Sequence, residues 1–157
     1  MTAPAIDVDE EQHDVVARSE RSTVVGADGR AKAYRPLPAE ERIAAVIAGL
    51  EAYAAGDFFE AHELMEPAWM GSADPAERAL IQGLIKVAAA DVHGVRGNPA
   101  GVRRNLEGAR DRLRSGADGE ITGIDINSAA IIAAIEARLA VLDGGRDGPL
   151  IIDWRRR

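Results

Sequence analysis

The residues best equipped for chemistry fall between Gly56 and Met70, in GDFFEAHELMEPAWM, where one histidine and three glutamates punctuate an apolar stretch. Placed at about 100° per residue on a helix, Ala61, Leu64, Met65, Ala68, Trp69 and both phenylalanines form one arc. His62 and Glu66, one turn apart, fall inside that arc, and Glu63 falls at its rim. An ionisable group on an apolar face must be paired, hydrogen-bonded or metal-bound, because burial strips its hydration. Two arrangements satisfy this. One is a mutual His62 to Glu66 hydrogen bond that fixes helix register. The other is a divalent metal held by His62 and Glu66, with Glu63 as general base for metal-assisted hydrolysis. His62-Glu63-Leu64-Met65-Glu66 keeps the spacing of the H-E-x-x-H metalloprotease helix, with Glu66 in place of the second histidine. Glutamate also coordinates zinc and iron, so a metal remains compatible with that replacement.

Partners for this face are sought on the following helical segment. There Asp91 falls among Leu80, Leu84 and Val87, an acid in an apolar arc. Gln82, Lys86 and His93 form a second stripe, padded by Ala89 and Ala90, which either lines a pocket or faces solvent. The pocket reading makes the chain a helical binding module framed by residues 57–70 and 75–95. Lys86 supplies charge for a small anionic ligand and Trp69 supplies a wall, and a partner protein is the other occupant. A third reading is a structural protein that self-associates through a helical face into a homo-oligomer.

The elements that must position these residues are punctuated regularly from Pro38 onward. A first helix runs from Pro38 to Gly56 with Ile43, Val46, Ile47, Leu50 and Tyr53 inward. Asp57 caps a second helix that ends at Gly71, with Glu60 three residues on. Asp74, Pro75 and Glu77 start a third helix that persists to about Val95. Asn98 and Pro99 start a fourth, burying Val102, Leu106, Ala109 and Leu113. A fifth, from Ser128 to Leu142, buries Ile132, Ile135, Leu139 and Leu142. The fold class is therefore all-α, a compact bundle of about five helices over residues 37–145.

Residues 1–36 lack helical periodicity and are expected to be a flexible acidic tail, with a short extended stretch at Thr23 to Val25. Residues 1–20 hold six acids and one base and contribute −5 of the net −7, which leaves about −2 on the remainder. Bulk charge therefore gives nucleic-acid binding no support. The C-terminal tail, residues 146–157, offers Leu150, Ile151, Ile152 and Trp154 for docking on the bundle, with three arginines left in solvent. On the fourth helix, Glu107 and Asp111 share turns with five arginines, so surface ion pairing is expected there.

The absence of cysteine removes disulfides and thiolate chemistry and fits a reducing compartment. The acidic start does not read as an export signal, and the longest apolar run, Ala129 to Ile135, is far short of a membrane span. A cytoplasmic location is the expectation.

Gly56 to Ala61 resembles the helix junction of a tetratricopeptide repeat, but no second copy follows at the period of about 34 residues. A longer resemblance is to the prokaryotic family catalogued as domain of unknown function 309. It rests on a G-D-[FY]-[FY]-E-A-H-E-x-x-E-x-x-W helix at Gly56 to Trp69 and on Q-G-L-I-x-x-A-A-A at Gln82 to Ala90. His93 and G-N-P-x-G at Gly97 to Gly101 complete it. The resemblance covers Leu50 to Leu113 and implies a small all-helical bundle without an established activity. It also groups His62, Glu63, Glu66, Trp69, Gln82 and His93 as one candidate site.

Overall fold

A computed structural model of the chain describes residues 23–25, 31–144 and 148–157. Much of the expected acidic tail, residues 1–22 and 26–30, lies outside the described residues. The chain divides into two units, Met1–Tyr34 and Arg35–Arg157. In the first, β1 (Thr23–Val25) pairs antiparallel with β2 (Ala31–Ala33), Val24 opposite Lys32. The extended stretch expected at Thr23 to Val25 is thus one arm of a hairpin.

The second unit is helical, with five α-helices among the described residues: α1 (Ala39–Ala54), α2 (Phe58–Met70), α3 (Pro75–Val95), α4 (Pro99–Ser115) and α5 (Ser128–Val141). No described helix is long and apolar enough to cross a membrane. α1 turns inward Ile43, Val46, Leu50 and Tyr53, while Ile47 stays half-exposed. Gly49 joins that face because Met65 of α2 occupies the space a Cβ would need, with Met65 Cγ 2.2 Å from its position. Gly56, at φ 84°, closes the helix in the left-handed region that glycine enters without strain.

Asp57 precedes α2 but its side chain makes no capping hydrogen bond, contrary to the capping-box expectation. The next two caps do form. Asp74 accepts from Ala76 N–H at 3.1 Å, and Asn98 accepts from Gly101 N–H at 3.2 Å. These caps set the start of α3, which is buried along most of its length, and of α4.

α3 and α4 lie antiparallel in a register set by glycines. A Cβ on Gly83 would meet Leu113 Cγ at 2.8 Å, one on Gly108 would meet Lys86 Cδ at 3.1 Å, and one on Gly101 would meet His93 Nδ1 at 2.4 Å. Lys86 and His93 are seven residues apart, as are Gly101 and Gly108. Two turns of each helix therefore repeat the same fit of a long side chain over a bare backbone.

α5 departs from expectation by one position. Its buried residues are Ile131, Ile135 and Arg138, followed by Leu142, whereas Ile132 and Leu139 are half-exposed. Arg138 takes the inward place because Asp91 waits for it in the core, as described below.

The C-terminal segment is built in as a strand. β4 (Trp154–Arg156) pairs antiparallel with β3 (Ile124–Ile126), the strand just before α5. The three arginines stay exposed, as expected, and each has a carboxylate beside it. Arg155 meets Asp125 at 3.2 Å, Arg156 meets Glu40 at 3.4 Å and Arg157 meets Glu120 at 2.8 Å. Arg157 N–H also donates to Gly123 O at 2.9 Å. Ile151, expected to dock, is 93 % exposed.

Candidate functional site

α2 packs chiefly against α1 and α3, and its inward strip is narrow: Ala61, Met65, Ala68 and Trp69. The broad apolar arc read from the helical wheel is corrected by this. Phe59 is 61 % exposed, and His62 and Glu66 sit at the half-buried margin rather than in the core. At that margin one donor atom from each of His62, Glu63 and Glu66 lies within 4.8 Å of the others. His62 Nδ1 approaches Glu63 Oε1 at 3.3 Å, with the two side chains 25 % and 53 % exposed. The ring thus meets the adjacent glutamate as well as lying near Glu66, one turn on. Glu66 has a further polar or ionic interaction of its own.

One imidazole nitrogen and two carboxylates form a donor set suited to a borderline divalent cation such as zinc, manganese or iron. Tetrahedral donors at about 2.1 Å from a metal stand roughly 3.4 Å apart. His62 and Glu63 already meet that spacing, and a rotamer change of Glu66 would close the rest. Because Glu63 is more than half exposed, the remaining coordination positions would open to water.

The other residues of the expected site are spread along α3 and into the core. Trp69 is buried against the bundle. Gln82 is buried too, with a polar partner of its own, so the stripe it belongs to is not a plain solvent face. Lys86 lies half-buried across Gly108 of α4. His93 covers Gly101 and meets Asn98 Nδ2 at 3.1 Å, beside the α3 to α4 turn. Gln82 and His93 are eleven residues apart, about 16 Å along a helix axis. The structure brings His62, Glu63 and Glu66 together and leaves the full set of six without a common point.

Two buried polar clusters hold the bundle. Asp91, the acid noticed in an apolar arc, accepts from Tyr53 Oη at 2.5 Å and pairs with Arg138 at 2.7 Å. Tyr53 Oη in turn accepts from Leu150 N–H at 2.9 Å, tying the C-terminal segment to the core. Burial first, then the Asp91 carboxylate, push the Tyr53 hydroxyl well above the ordinary tyrosine value. In the second cluster Glu77 accepts from Ser72 Oγ at 2.5 Å and from Thr122 N–H at 3.1 Å, with Arg42 at 3.6 Å. Sequence reasoning counted Tyr53 as merely apolar, took Glu77 as a helix-start residue and missed Arg138. For Arg138 a signal existed, since it stands three and seven residues after Ile135 and Ile131, on their face.

Beside these clusters are two apolar hollows. One, about 360 Å³, is lined by Leu50, Tyr53, Phe58 and Pro149 to Ile152, and the other, about 250 Å³, by Phe58, Phe59, Val92, Val95 and Arg96.

Compared with known proteins, residues 46–105 match the model of the family described as "Domain of unknown function (DUF309)". No curated protein and no solved structure matches the chain. The match spans the second half of α1, all of α2 and α3 and the first turns of α4, and includes the His62 cluster, Gly83 and Gly101, while Gly108 lies beyond it.

Proposed function

We propose that the DUF309 domain carried by residues 46–105 works as a divalent-cation-binding module, with His62, Glu63 and Glu66 as its protein ligands. The observation that carries this reading is the gathering of three metal-competent donor atoms within 4.8 Å on one helix. Position adds to it. The three sit at the margin of the core, where the helix is rigid enough to hold them and water can still reach an ion. Backbone packing of Ala61, Met65 and Trp69 on either side fixes the rotation of α2, and so fixes which donors face the same way.

Elemental mass spectrometry of tag-free protein, with calorimetric titration of zinc and manganese, tests the proposal. One equivalent of metal is expected, and His62→Ala or Glu66→Gln should weaken affinity at least about tenfold, as loss of even an outer-sphere partner does. Protein that neither retains nor takes up metal would reject it. The hydrolytic alternative, with His62 and Glu66 alone as ligands and Glu63 as general base, differs in one readout. There Glu63→Gln leaves metal affinity unchanged, whereas the module proposed here loses affinity.

A further inference from the structure

A different pair of helices carries an unneutralised positive site. α4 holds five arginines, and three of them have carboxylates beside them. Arg103 pairs with Asp143 at 3.2 Å and with Glu107 at 3.9 Å, Arg110 with Asp111 at 3.4 Å, and Arg114 with Glu136 at 2.5 Å. Arg104 and Arg112 have no carboxylate partner among the described residues. They stand four residues before and four after Gly108, which places them on one face of α4, about one turn to either side of it.

Gly108 is where Lys86 of α3 crosses. A Cβ there would come within 3.1 Å of Lys86 Cδ and 3.3 Å of its Nζ, so the ammonium lies over the glycine between the two arginines. Lys86 also lacks a carboxylate partner among the described residues. Burial, then Arg112, then Arg104, draw its proton affinity below the ordinary lysine range. Three cations thus converge at one bare stretch of backbone and repel one another, while their neighbours on the same helix are paired.

We propose that Lys86, Arg104 and Arg112, grouped about Gly108, bind a compact phosphoryl anion, a phosphate monoester or a diphosphate. Two guanidinium forks offer paired donors matched to phosphate oxygens, and the lysine adds a point charge at the floor. Gly108 leaves the room in which the Lys86 side chain lies. Size is limited by what surrounds the group. Carboxylates at Glu107, Asp111 and Glu136 interrupt the positive face, so a long polyanion gains nothing beyond the three cations. This proposal is independent of the metal site on α2.

The test is calorimetric titration of the full-length protein with inorganic pyrophosphate at constant ionic strength. Arg104→Gln, Arg112→Gln and Lys86→Met are compared with Arg103→Gln and Arg114→Gln, whose charges are already neutralised. Saturable one-to-one binding is expected, weakened at least about tenfold by each of the first three changes and by less than about twofold in the two controls. If Lys86→Met disturbs folding, as circular dichroism would reveal, the two exposed arginines decide alone. Absence of saturation below about 1 mM would overturn the proposal. So would an equal loss across all five variants, or tighter binding of single-stranded RNA that depends on all five arginines alike, since either marks diffuse charge instead of a site.

Discussion

Asp91 Oδ1 lies 2.7 Å from Arg138 Nη2 with both side chains almost wholly shielded from water, joining α3 to α5 through an ion pair inside the core. The second carboxylate oxygen of Asp91 takes the Tyr53 hydroxyl of α1, so one acid links three helices. Such a group contributes little when intact, because desolvation offsets its Coulomb attraction, and costs much when one member is removed.

Asp91→Leu is therefore expected to destabilise the protein by about 3–5 kcal/mol, since it takes the Asp91 carboxylate away from the buried Arg138 charge and from the Tyr53 hydroxyl. Adding Arg138→Met should recover most of that loss, since the pair is then replaced by apolar volume. Urea denaturation of the two single variants and the double variant measures both. A double variant no more stable than Asp91→Leu alone would mean that the pair is not acting as a unit.

Tyr53 gives the fold an alkaline limit. Its folded-state proton affinity is raised above the ordinary 10.0, so the folded chain keeps a proton that the unfolded chain releases. Stability from this group is complete below pH 10 and is lost as pH rises above it toward the folded-state value. In Tyr53→Phe that loss should be reduced, while stability at neutral pH falls by roughly 1–3 kcal/mol because Asp91 and the Leu150 N–H both lose a partner. Melting temperatures between pH 8 and pH 11, roughly spanning the ordinary tyrosine titration, distinguish the two proteins.

Lys86→Met should stabilise the protein in the absence of any anion. A lowered lysine value means that the charged form is disfavoured on folding, so the penalty is present at neutral pH. It fades as pH rises through the folded-state value and is gone above the ordinary 10.5. Because the group is half-exposed, solvent screening holds the expected gain to about 0.5 kcal/mol. A thermal melt at pH 7 in low salt reads it. A variant less stable than the parent would show that the stem of Lys86 packing over Gly108 outweighs the repulsion.

The helices and two of the three side-chain caps expected, though not the one at Asp57, were legible because they are local. Asp74 and Asn98 cap α3 and α4 as their types and positions require, and Val102, Leu106, Ala109 and Leu113 are buried as their spacing of three and four demands. The acid at Asp91 was visible as an anomaly for the same reason. Periodicity could not assign its partners, since Tyr53 and Arg138 come from helices 38 and 47 residues away in the chain. The shift of α5 that buries Ile131 and Arg138 in place of Ile132 and Leu139 is a consequence of that long-range pair.

The candidate site divides along the same line. By itself the sequence determined that His62, Glu63 and Glu66 share one helix and stand close to one face, because helical geometry over four residues leaves little freedom. Only the tertiary structure decided how deep they sit: α2, packed chiefly on α1 and α3, buries the narrow strip of Ala61, Met65, Ala68 and Trp69, and the cluster lies at its edge. Tertiary structure alone also laid Lys86 over Gly108 between Arg104 and Arg112, since the antiparallel register of α3 and α4 is set by where a missing Cβ lets another helix approach. Local spacing settles which face a residue occupies, whereas what meets that face depends on packing between segments distant in the chain.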